Sequence, residues 1–84
     1  MSMTAEQRAA LIERLDRSFR VMPLWAKTAV KHALAAPEVN PATGRPFESF
    51  REVISVAADE TLETLRSDFE DNGDLLPEPT GADT

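Results

Sequence analysis

The sequence predicts an all-α protein: a small three-helix domain with a flexible acidic C-terminal tail. Three observations carry that prediction. Apolar residues recur at helical spacing in three stretches, and the stretches are punctuated by proline and glycine. No segment alternates with the two-residue period of a half-buried strand. The chain has 84 residues, no cysteine and no tyrosine, so one core must be built from helix packing without disulfides.

The first predicted helix runs over 4–20. Thr4 and Gln7 have capping-box spacing, in which hydroxyl and amide satisfy backbone N–H groups left free at a helix start. At about 100° per residue, Leu11, Ile12, Leu15 and Phe19 fall on one stripe, with Glu13, Arg14, Arg17 and Arg20 opposite. Pro23 ends this helix and suits the first turn of a second, predicted over 23–36. Its expected buried face is Trp25, Ala29, Ala33 and Ala36, with Ala26 and Val30 beside it.

Residues 37–46 contain three prolines and read as a stiff loop, with Asn40-Pro41 opening a turn that the positive φ of Gly44 can close. The third helix is expected to be the longest, over 48–72. Either Pro46 starts it, or Ser49 caps it with Glu52 three residues on, and Ser49 is the better signal. Its core stripe is Phe50, Ile54, Ala57, Ala58, Thr61, Leu62, Leu65 and Phe69. Asn72-Gly73 stops it. Leu75 and Leu76 can fold back on that end. Residues 1–76 therefore form the predicted domain and 77–84 the predicted tail, which has too few apolar side chains for order.

Composition narrows the function. Residues 1–36 carry six Lys and Arg against three acids, and residues 37–84 carry three against twelve, for a net charge of −6. No run approaches the ~20 apolar residues of a membrane span, and the first eight residues are too polar for a signal peptide, so a cytoplasmic protein is expected. The core residues leave no surplus for a deep ligand cavity. His32 is the only imidazole, no nucleophile is placed beside it, and no Gly-rich phosphate loop exists. No enzyme, no catalytic residue and no cofactor are expected.

A metal is not expected either. Residues 68–74 imitate the opening of a calcium loop, but the twelfth position, which should supply a bidentate carboxylate, is Pro79. Arg14, Arg17 and Arg20 line one helix face and could touch phosphates, but the net negative charge opposes a duplex. The loop is also too long for a helix-turn-helix.

The most informative feature is acidic. On one continuous third helix, Glu52, Asp59, Glu63 and Glu70 fall in a narrow arc opposite Phe50, Ile54 and Leu65. Two readings compete. The arc is a solvated face that keeps a small protein soluble, or it is a negative rod that docks on a basic groove of another protein. The functional expectation is a small acidic protein-binding module that modulates or inhibits a larger partner with a basic surface. Glu52, Asp59, Glu63 and Glu70 on the third helix, and Asn40 and Arg45 in the loop, are its candidate partner-binding residues. Alternatives are an antitoxin-like nucleic-acid-associated regulator using the basic first helix, or a structural homo-oligomer, and a homodimer would complete a marginal core.

Overall fold

Thr4 caps the first helix as its spacing predicts. In the computed structural model, which describes residues 3–34 and 37–77, the Thr4 hydroxyl accepts from the Gln7 N–H and the Gln7 side chain accepts from the Thr4 N–H, each at 3.0 Å. Helix α1 (Ala5–Arg20) follows, and it buries Leu11, Ile12, Leu15 and Phe19, the predicted stripe. After Met22 the chain turns at Pro23, whose carbonyl accepts from the N–H groups of Ala26 and Lys27 and opens α2 (Leu24–Leu34). A two-residue antiparallel hairpin comes next, β1 (Val39–Asn40) paired with β2 (Arg45–Pro46). Its turn closes on the Asn40 carbonyl, which accepts from Thr43 and Gly44, with Gly44 at φ +75°.

The single long third helix is not formed. Ser49 does cap a helix there, accepting from the Glu52 N–H at 3.2 Å, but that helix, α3 (Phe50–Ser55), ends after six residues. A new helix, α4 (Asp59–Asp71), starts after a three-residue gap, so the described residues hold four helices rather than three. The break has a tertiary cause. The Arg8 guanidinium of α1 donates to the carbonyls of Ser55 and Ala57 and pairs with the Asp59 carboxylate. In one continuous helix those carbonyls would instead accept from N–H groups a turn further on. Asp59 and Glu60 then place negative charge at the start of α4, where the helix dipole favours it.

The core sits where α1 crosses α3 and α4. Leu15, Ile54 and Leu62 are fully enclosed, and Phe19 stacks on Phe50 with ring centroids 4.0 Å apart. The rear of α4 turns the chain back. Asn72 ends the helix, Gly73 takes φ +75°, and Leu75 packs against the core. Leu76 is held at both backbone groups, its N–H donating to the Ser18 hydroxyl at 2.9 Å and its carbonyl accepting from Arg14 Nε at 2.7 Å. The fold-back expected of these leucines therefore forms a strap across α1. Most of the predicted tail, 78–84, lies outside the described residues.

Helix α2 faces differently from expectation. Its one fully buried residue is Ala26, continuing the line of buried Met22, while Val30 and Leu34 pack at the core edge. Trp25 is 74% exposed, Ala29 and Ala33 are exposed, and Ala36 lies outside the described residues. The spacing Met22, Ala26, Val30, Leu34 is what orients the helix, and the large indole, which suggested the other face, points outward. Among the described residues no helix is long and apolar enough to cross a membrane.

Candidate functional site

Asn40 is 2% exposed although it sits in a hairpin on the surface. Its side-chain oxygen accepts from the Ala42 N–H at 2.8 Å, which shapes the turn. Its amide nitrogen donates to Glu52 Oε2 at 2.8 Å, and the other Glu52 oxygen accepts from the Glu48 N–H at 2.9 Å. Glu52 thus braces the hairpin to the first turn of α3. The Glu48 N–H and the Asn40 amide hold its carboxyl below the usual range. Arg45 stands exposed at the start of β2 and shares a shallow hollow with Thr43, Glu48 and Glu52. Three of the six predicted residues, Asn40, Arg45 and Glu52, are therefore brought together.

The other three lie on α4, separated from Glu52 by the helix break. Asp59 is committed inward. It accepts from the Met3 N–H at 3.0 Å and pairs with Arg8, and these two contacts lower its pKa from the ordinary carboxylate value. Glu63 and Glu70 straddle Arg66, which donates to them at 3.0 and 3.2 Å. Arg8 from α1 and Arg66 within α4 thus pair three of the four carboxylates, and Glu52 meets only neutral donors. Two guanidinium charges against four carboxylates leave less outward negative potential than four free carboxylates would.

Unpaired acids stand elsewhere. Among the described residues, Glu38 and Glu48 beside the hairpin, and Glu60, Asp68, Asp71 and Asp74 on α4 and just after it, take part in no ion pair. Glu38 and Glu48 edge an open groove of about 340 Å³ whose apolar wall includes Leu34, Phe47 and Val53, with Lys31 of α2 as the one cation in its lining. Sequence spacing alone does not reveal this pair, because the hairpin is what brings residue 38 near residue 48.

The basic face of α1 is also committed in part. Arg14 holds the Leu76 carbonyl, and Arg20 lies 2.8 Å from the buried Asp16 carboxylate. Asp16 faces a second guanidinium, Arg51 at 3.5 Å, and Arg51 in turn bonds Glu13 at 2.6 Å, tying α1 to α3. His32 is exposed on α2. Among the described residues no three His, Asp or Glu side chains converge to hold a metal ion. Comparison with protein-family models, curated proteins and solved structures finds no match to the chain.

Proposed function

We propose that the chain is a small acidic protein-binding module, not an enzyme, which modulates or inhibits a larger partner through the hairpin and the acidic groove beside it. The observation that carries this reading is the buried Asn40 brace. A protruding loop is usually the most mobile part of a small domain, yet here one side chain ties turn, strand and α3 together. A loop ordered before binding loses little freedom on binding. Glu38 and Glu48 give the adjoining groove two unpaired carboxylates along an apolar wall, against the single Lys31 ammonium on its α2 side. The complementary partner presents an apolar projection flanked by Lys or Arg, and the charges steer its approach.

The test starts with capture of the partner from the host by the tagged chain, followed by binding kinetics with the purified partner. Glu38→Gln with Glu48→Gln should slow association and flatten its salt dependence while the melting temperature stays unchanged. Asn40→Ala should weaken binding through the loosened hairpin. A partner that binds the double variant as fast as the parent, at the same salt dependence, would refute the hairpin face as the docking surface.

A further inference from the structure

We infer that a second copy of this chain docks on the groove between α2 and the C-terminal end of α4, forming a two-fold dimer in which each copy presents its α2 to the other's groove. This surface meets the hairpin groove only at Lys31, which lines that groove from α2, and it rests on different observations. Val21, Leu24 and Trp25 form an apolar ridge, 67%, 78% and 74% exposed, at the start of a helix that commits one residue fully to its own core. Isolated exposed apolar residues are ordinary, but three large ones within five positions mark an unpartnered face. The ridge borders a groove of about 410 Å³, with Trp25 at the head of one wall and Ala29 and Ala33 along it, Leu65 and Phe69 at its base, and Asp68 and Asp74 along the far edge.

The groove defines the chemistry of its occupant. Small side chains on the wall let a helix come close. No strand borders the groove, so an incoming segment finds no backbone edge to pair with and must satisfy its own N–H and C=O groups, as a helix does. The aspartates have no ion pair among the described residues, so the helix should be apolar with a basic flank.

Helix α2 itself answers that description. It contains Lys27, Lys31 and His32 and no acid. At about 100° per residue, Lys31, Leu24, Thr28, His32 and Trp25 occupy one outward arc, and all five are exposed. Lys27 is spoken for, lying 5.7 Å above the Phe19 ring, but neither Lys31 nor His32 has an ion pair among the described residues. One chain therefore carries both a basic apolar ridge and an acid-edged apolar groove. A two-fold axis lets both copies use both surfaces at once, which is the condition for a closed dimer.

Trp25 is the only tryptophan, so its emission reports this surface alone. Sedimentation and tryptophan fluorescence of the full chain over a concentration series are the experiment. The parent should pass from 9.3 kDa to twice that mass as its emission moves to shorter wavelength. Leu24→Asp should abolish both changes, and its circular dichroism at low concentration should match the parent because Leu24 is exposed. Asp68→Lys with Asp74→Lys should weaken dimerisation at least tenfold. Adding Lys31→Glu and His32→Glu to that variant should restore it, which a merely structural role for the aspartates would not do.

A parent that stays at 9.3 kDa to its solubility limit overturns the inference. So does a dimer that Leu24→Asp leaves intact. A monomeric parent whose Trp25 emission shifts on adding a synthetic Lys-flanked amphipathic helix assigns the groove to another protein, and also overturns it.

Discussion

At the scale of single residues, the carboxylates that look equivalent in sequence separate into two kinds. Asp59 and Glu52 accept backbone N–H groups and a side-chain donor, whereas Glu63 and Glu70 make exposed pairs with Arg66 on their own helix. Exposed pairs within one helix contribute only about 0.3–0.5 kcal/mol. Glu63→Gln with Glu70→Gln should therefore leave the thermal midpoint nearly unchanged. Asp59→Asn should lower it clearly, because the Met3 N–H and the Arg8 guanidinium lose their anionic acceptor and the α3–α4 break loses its brace. Acid should act the same way. The folded pKa of Asp59 lies below its ordinary 3.8, and those of Glu52 and Glu13 below 4.5, Glu13 because Arg51 bonds it. Their stabilisation is therefore complete above those ordinary values and is lost as pH falls through the lower folded ones. Melting temperature measured against pH should fall on the acid side, and Asp59→Asn should flatten that fall. An identical slope in parent and variant would show that Asp59 gains nothing from its partners.

At the scale of elements, local signals are legible in the sequence and long-range ones are not. The Thr4 capping box, the Ser49 cap, the stripe on α1 and the Asn72-Gly73 stop depend on residues within a turn of one another, and each stands where its spacing places it. The break at 56–58 depends on Arg8, about fifty positions away, acting on a stretch whose Ala57 and Ala58 favour helix. Only the acidic pair Asp59-Glu60, suited to a helix start, hints at it. The facing of α2 is obscured for another reason. Size draws attention to Trp25, while the spacing of Met22, Ala26, Val30 and Leu34 carries the information. The two α2 facings make opposite predictions for two alanines. Ala26→Glu places an unpaired charge among Met22 and the core and should cost at least ~2 kcal/mol. Ala29→Glu should be tolerated, because Ala29 is exposed. Denaturant midpoints distinguish them, and equal losses would mean that the helix turns its other face inward. The candidate site is legible only in part for the same reason that hides the helix break. Asn40, Arg45 and Glu52 stand out singly in the sequence, but the hairpin that joins them and brings Glu38 to Glu48 is a tertiary fact.

At the scale of the whole molecule, the chain closes on itself through the strap at Leu75 and Leu76. A domain of this size buries only about 60–65% of its unfolded surface and has a narrow margin of stability. Among the described residues eleven buried apolar side chains form its core, and the strap extends that core by the partly buried Leu75 and two backbone contacts to α1. The Ser18 hydroxyl, fully enclosed, donates to the Arg14 carbonyl while accepting from Leu76, so the strap completes its hydrogen bonding. Two truncations separate the strap from residues 78–84. Removing 78–84 leaves every described contact of Leu75 and Leu76 in place and should leave the melting temperature unchanged. Removing 75–84 deletes the two hydrogen bonds to α1, about 1 kcal/mol each, the longer Leu75 N–H bond to a Phe69 carbonyl that Asp74 still holds, and part of a leucine's burial, a loss of roughly 2–3 kcal/mol in all. In a domain this small each kcal/mol moves the midpoint by about 4–8 °C, so the longer truncation should melt at least ~8 °C lower. The two proteins differ only in residues 75–77, and calorimetry on both at equal low concentration isolates those residues from any effect of self-association. If both melt with the parent, the strap rests on α1 without stabilising it, and the core of α1, α3 and α4 is self-sufficient. If both melt early, residues 78–84 contribute to the fold as well.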